Sequence, residues 1–598
     1  MVRLFCLVAT AFALRAEPIT PSVTFRRGPV NEIVISRAGS RLAVYAGRGE
    51  RVLYTHARRD ALRPVPGAQA FVPTAEADLF GDPQKFWSAF AQDRFHDYEV
   101  RSSKWPVKPV STNIKAVHGG ERFTWRGLDF DVVDTPGFTA GAVSYVTTID
   151  GVKLAFTGDL IYGDGHLLDI YSLQTAVPDA KTRGYHGYGA RAGALIASLK
   201  KIKALQPKLL IPARGPVIRQ PAAAIDKLIT RLEALFQEHF STDALRWYWG
   251  DDNLRLRAGK ILGTTKPLAW MEMSEQRKLP DWVVPIQNSR LLLSNTGAGY
   301  LIDCGNARIL AEVQKRAPKV EGIFITHYHD DHTDHAQKAA DTFGVKVHAS
   351  PELAGVLRNP RAYRLPAMTA NPITSLEVMQ EGKRIRWHEF EFTYLFYPGQ
   401  TLYHGGLLVK KDGENEPLFF VGDTFTPSGL DDYCLQNRNL LDEDQGYLYC
   451  LRELRAMSAQ PWLINEHVEP MFRFAPTQLD RMETSLRQRN AILRELVPFD
   501  HPNYGVDEQW AWFEPYEVTA KPGATVEIKL RLTNHSGVAK TFRVDRQKVK
   551  VPPKSSRSVP VRVQVPRDAR DWWIATATIA MGDLKLQDWA EAMVRVER

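Results

Sequence analysis

One structural plan is stated twice along this chain, and that repetition limits what the chain can fold into more than any other feature. In the second half, the apolar run Gly322-Ile323-Phe324-Ile325 leads straight into a polar loop at His327. Tyr397-Pro398-Gly399-Gln400-Thr401 follows, then Leu418-Phe419-Phe420-Val421-Gly422-Asp423, a helical stretch over 447–457, and Trp462-Leu463-Ile464-Asn465-Glu466-His467. In the first half, Val52-Leu53-Tyr54-Thr55 leads into His56-Ala57-Arg58-Arg59-Asp60-Ala61. Then come Thr135-Pro136-Gly137-Phe138-Thr139, Leu154-Ala155-Phe156-Thr157-Gly158-Asp159, a helix with Leu195, Leu199, Ile202 and Leu205 on one face, and 209–214. Order and spacing nearly coincide, and Gln206-Pro207 and Gln460-Pro461 stop the two corresponding helices. Two αβ units of one plan explain this economically.

The remaining features set the frame. A chain of 598 residues is too long for one core. Hydrophobic residues make up 44% and charged residues 24%, so the composition is that of a folded chain. A net charge of +9 without a dense basic block gives no reason to expect nucleic acid as a partner. Met1-Val2-Arg3, the apolar stretch 4–14 and the small residues at 13–16 read as a signal peptide, implying a secreted or periplasmic protein with no integral membrane domain. Of four cysteines, Cys6 lies in that segment, Cys304 reads as a small core residue, and Cys434 and Cys450 could pair. After about Phe513, Val526, Ile528, Leu530 and Leu532, and later Val559, Val561, Val563 and Val565, alternate with polar neighbours, predicting a small β-sandwich of immunoglobulin-like type. The expected boundaries are a signal at 1–16, a first unit at 17–240, a linker at 241–280, a second unit at 281–500 and a β-sandwich at 511–598. Trp247-Tyr248-Trp249 in the linker is read first as packing between units and second as a substrate-facing cluster.

The chemistry concentrates in His327-Tyr328-His329-Asp330-Asp331-His332. In an extended loop His327 and His329 point the same way, while Asp331 and His332 turn toward a neighbouring position at a helix start. Imidazole nitrogens with one carboxylate suit zinc, and an open coordination position makes such a site catalytic. These residues, with Asp423 and His467, resemble the metallo-β-lactamase superfamily over roughly 281–498. The resemblance implies an α/β (α+β) architecture: two αββα sandwiches followed by a small all-β sandwich. It implies two metal ions, zinc first, with iron or manganese as alternatives. His327, His329 and a third histidine would hold one, Asp331, His332 and His467 the other, with Asp423 bridging. Bound water would then act as hydroxide near neutral pH, and Asp331 could accept a proton. One slot departs from the family: after Pro398-Gly399 stands Gln400, a poor zinc ligand, and His404 is the expected replacement, four residues on.

In the first unit only His56, Asp60 and Asp159 remain of the ligand pattern, while Phe138 and Arg214 replace histidines. Arg58 and Arg214 are expected to neutralise Asp60 or Asp159, leaving a scaffold or substrate-shaping unit, with anion binding as the rival reading. The leading function is an exported metal-dependent hydrolase acting on a small molecule through an ester, lactone, lactam, thioester, phosphoester or related bond. The alternatives are an iron-dependent oxidoreductase on the same fold, or a binding protein meeting a glycan or cell-wall partner through its C-terminal part.

Overall fold

Alternation sets the sheets. In strand Phe390–Phe396, Phe390, Phe392 and Tyr394 are buried while the residues between them are partly exposed, the period-two pattern of a strand with one face on a core. The computed structural model describes residues 17–100, 104–263 and 267–597. The expected signal segment and Cys6 lie outside these residues.

The first half forms a seven-stranded sheet from Glu17–Thr20 to Ile114–Val117, in chain order, and a five-stranded sheet running from Leu209–Pro212 back to Arg122–Trp125. The second half forms a six-stranded sheet from Val283–Ile286 to Leu376–Val378 and a seven-stranded sheet running from Glu275–Arg277 to Arg384–Trp387. Pairing senses repeat strand by strand. From Val23–Arg26 and from Val283–Ile286 onward, two antiparallel pairings are followed by three parallel ones. In each partner sheet, three antiparallel pairings are followed by one parallel pairing, to Leu209–Pro212 or to Trp462–Ile464. Val23, Ile33, Leu42, Phe130, Tyr145 and Ile211 form a core joining the first two sheets. Leu292, Tyr300, Phe324, Phe392, Phe420 and Ile464 do the same for the second pair.

The stretch expected as a linker is structured. Helices Pro221–Ser241 and Leu245–Leu262 pack across the two halves, and strand Glu275–Arg277 pairs with Met471–Arg473, extending a sheet of the second half. The last part consists of a three-stranded and a five-stranded sheet. Ile528, Leu530, Val561 and Val563 of one share a core with Phe542, Val544, Ala577 and Ile579 of the other. Buried ion pairs fasten this part to both halves. Arg59 donates to the carbonyls of Asp588 and Trp589 and pairs with Glu591; Arg94 pairs with Glu517 at 2.7 Å, and Arg364 with Glu591 at 3.2 Å. Cys304, Cys434 and Cys450 are buried and unpaired, so the possible Cys434–Cys450 bridge is corrected. Among the described residues no helix is long and apolar enough to cross a membrane.

Candidate metal centre

Strand Lys319–Phe324 delivers His327 to the end of its sheet, and the short helix Asp330–Thr333 then turns His332 back toward it. Behind both lies Asp303, which ends the neighbouring parallel strand Ala298–Ile302. Its carboxylate accepts from the Thr326 amide at 2.9 Å, from Thr326 Oγ1 at 2.7 Å and from His332 Nδ1 at 2.8 Å. Because the Thr326 hydroxyl donates its one proton to Asp303, the 2.9 Å contact with His327 requires His327 Nδ1–H to donate. His327 therefore turns an unprotonated Nε2 forward, the tautomer that ligates a metal, and His332, tied at Nδ1, turns its Nε2 the same way. His327 Nε2 is buried and has no hydrogen-bond partner.

The other candidates converge there. His332 Nε2 lies 3.1 Å from His467 Nε2 and 3.5 Å from Asp423 Oδ2. His467 Nε2 lies 3.1 Å from Asp331 Oδ2 and 3.3 Å from Asp423 Oδ2, and Asp423 Oδ1 is buried without a partner. His329 Nε2 lies 3.0 Å from the Tyr185 hydroxyl and 3.3 Å from Asn437 Oδ1, which leaves Nδ1 for the cluster. Ligand atoms of His327, His329 and Asp423 lie within 4.8 Å of one another, and so do those of Asp331, His332 and His467. A third grouping joins Asp303 with His327 and His332, but its carboxylate is already engaged with Thr326 and His332.

The electrostatics ask for a cation. Burial, the largest influence on His467, lowers its pKa, yet the Asp423 and Asp331 carboxylates carry it up to about 10. His332 is likewise raised against burial by Asp331, Asp423 and Asp303. His327 is pushed down by burial first and then by its histidine neighbours. Two facing imidazole nitrogens 3.1 Å apart, beside two carboxylates and orphaned polar atoms, form a donor set that fits divalent metal.

One expected ligand lies apart from the others. His404 stands outside these groupings: its Nε2–H donates to the Val421 carbonyl at 3.0 Å, and its ring stacks on His327 with centroids 4.7 Å apart. The expectation was a turn of helical or bent backbone from position 400 to 404. That segment is a bend entering strand Gly405–Lys411, and a backbone bridge sets His404 beside His327. Gln400 occupies the slot, with Nε2 donating to Asp423 at 3.3 Å. Gly422, at φ +53°, lets this arrangement close, since a Cβ there would lie 2.3 Å from His404 Nε2.

The centre forms the floor of a cavity of about 390 Å³. Tyr98, Tyr185 and His186 from the first half, and Tyr248 and Trp249 from helix Leu245–Leu262, line its walls. Of the linker aromatics, Tyr248 and Trp249 line the cavity as well as packing against the core, whereas Trp247 only packs against the core. The sequence reading did not single out Asp303, Tyr185 or Asn437. Asp303 had a signal, an acid closing a strand just before the histidine strand; Tyr185, 144 positions from His329, had none.

The corresponding place in the first half is filled by ion pairs. Arg214 pairs with Asp60 at 2.5 Å and through Nε with Asp159 at 3.0 Å. Arg58 grips both oxygens of Asp60 at 3.0 Å, and His56 Nε2 lies 2.9 Å from Asp159. Both arginines are buried against carboxylates, the arrangement expected for neutralisation.

Comparison with known proteins agrees with the second half. Residues 283–448 match the family model of the Metallo-beta-lactamase superfamily, which supports the resemblance for that segment. A curated relative, hydroxyacylglutathione hydrolase of Hahella chejuensis, is 28% identical over 138 residues, covering 23% of this chain and 46% of that protein. The chain thus spans about half the length of that relative. Among solved structures, a B3 metallo-beta-lactamase with an active-site glutamic acid is 18% identical, covering 37% of this chain and 95% of that one with a TM-score of 0.26. A metallo-beta-lactamase from Cronobacter sakazakii is 16% identical, covering 37% and 96% with a TM-score of 0.27.

Proposed function

We propose that this chain is a metal-dependent hydrolase whose metals sit on His327, His329 and Asp423 and on Asp331, His332 and His467. The observation that carries this reading is the pair of ligand groupings at the floor of one cavity, with the rear nitrogens of His327 and His332 already tied. Zinc bound there supplies Lewis acidity and lowers the pKa of water. Asp331 is half exposed toward the cavity and presents Oδ2 as a proton acceptor. Asp303 and Thr326 hold two imidazoles in one tautomer, and Gln400 Nε2 holds the Asp423 carboxylate. The bond attacked is an ester, thioester, lactone, lactam or phosphoester. The name of the Hahella relative favours thioesters among these.

Two further readings belong here. The matching pairing senses and the ion-paired counterpart site support two units of one fold, at 17–240 and 281–500, the first without metal. The paired sheets of 511–598 support the immunoglobulin-like reading and a contact with a glycan or cell wall; the N-terminal segment supports export. Metal analysis of purified protein is the test: two equivalents of metal are expected, falling in His329→Ala together with hydrolysis of a panel of ester, thioester, lactone, lactam and phosphoester substrates. Unchanged metal content in that variant would refute the assignment.

A further inference from the structure

The walls of the cavity differ in kind from its floor. Tyr98, Tyr185, His186 and Trp249 form a continuous aromatic surface. Ring centroids lie 6.1 Å apart for Tyr98 and Tyr185, 5.1 Å for Tyr185 and His186, and 5.0 Å for His186 and Trp249. Tyr433 closes it from below, 4.9 Å from His186. Tyr98, His186 and Trp249 are half-buried, as faces bordering a cavity are. Among the described residues lining the cavity there is neither lysine nor arginine. The nearby cations are otherwise placed: Arg257 is buried in an ion pair with Asp243 at 2.5 Å, and exposed Arg183 lies over the Tyr98 ring at 5.7 Å. His186 does not serve as a cation either, since burial, then Arg257 and Arg183, push its pKa down to about 3.

A carboxylate carried away from the reacting bond would be desolvated against these rings without a partner, a costly arrangement. A flat uncharged group gains both apolar burial and ring contacts there. The volume of about 390 Å³ accommodates one aromatic ring with a short chain. We infer that the substrate carries an uncharged aromatic group beyond the bond that is cleaved, and that the first half and helix Leu245–Leu262 form the subsite that receives it. This rests on the hydrolase reading for the identity of the cleaved bond, but the subsite itself is testable by binding alone.

The test uses two thioethers that cannot be hydrolysed and differ by one carboxylate, S-benzyl-N-acetylcysteamine and S-benzyl-N-acetylcysteine. Calorimetry on the zinc-loaded full chain should find the neutral compound bound at least about tenfold more tightly. Trp249→Ala should weaken that binding about tenfold at unchanged zinc content, and Trp249→Phe should restore most of it. Trp249→Arg should raise the affinity for the carboxylate compound. Equal or tighter binding of the carboxylate compound to the unaltered protein, no binding of either, or indifference to Trp249→Ala would overturn the subsite. The corresponding phenylacetyl thioesters and oxoesters, tested beside the lactone, lactam and phosphoester panel, separate the two proposals: selective binding of the neutral thioester with no cleavage of any of these refutes the hydrolase and leaves the subsite standing. Cleavage with preference for the charged thioester does the reverse.

Discussion

The hydroxyl of Tyr185 lies 3.0 Å from Nε2 of His329, joining residues 144 positions apart in the chain. Asn437 completes the triangle, donating from Nδ2 to the same hydroxyl at 2.8 Å while its Oδ1 accepts from Tyr328 at 2.7 Å. The first half therefore takes part in orienting His329, a proposed metal ligand of the second. Tyr185→Phe should lower zinc affinity by about 10–100-fold, as loss of an outer partner does elsewhere. Chelator competition measures this, and affinity equal to that of the unaltered protein would show that Tyr185 does not position His329.

The placement of His404 has its own consequence. Its bond to Val421 is buried, so His404→Ala should cost about 1–3 kcal/mol of stability while two equivalents of zinc remain. Gln400→Ala should leave stability near its original value. Denaturant titration and metal analysis on both variants decide the point. Loss of one zinc from a folded His404→Ala protein would restore that histidine as a ligand.

Removing Arg214 would leave Asp60 and Asp159 facing each other across a buried site with one cation fewer. Arg214→Ala should destabilise the chain by about 3–5 kcal/mol. Zinc stoichiometry in whatever remains folded should not change, because the first half contributes no ligand. Urea unfolding followed beside metal content tests both parts.

Acid should weaken the fold through His186. Its ordinary pKa of 6.5 falls to about 3 in the folded chain, through burial first and then Arg257 and Arg183. Between those values the unfolded chain binds a proton that the folded one refuses. The stabilising contribution is thus complete above pH 6.5 and declines as pH falls toward 3, by about 1.4 kcal/mol per pH unit. His186→Phe should flatten that part of the stability profile; an unchanged slope would show that His186 titrates normally.

The convergence of the histidine run, Asp423 and His467 was legible because such a cluster writes its residues at fixed offsets beside strand ends. The doubled plan was legible for a similar reason, since each strand end carries its own short marker. The position of His404 was less legible, because a bend of five residues does not fix which way its last side chain turns. Of the cavity walls, Tyr248 and Trp249 were legible as a second reading of the linker aromatics, and the rest were illegible on physical grounds. Tyr98 and Tyr185 lie far apart in the chain, and nothing in an isolated tyrosine states which distant histidine its hydroxyl will meet.

The cavity draws its floor and its walls from separate stretches of chain. Substitutions at His186 or Trp249 change what the cavity accepts without touching any ligand atom at its base. Selection for a new compound can therefore act on a part of the chain that has no metal to lose. In a lineage of such proteins, preference should drift quickly at those wall positions while the histidine loop stays fixed.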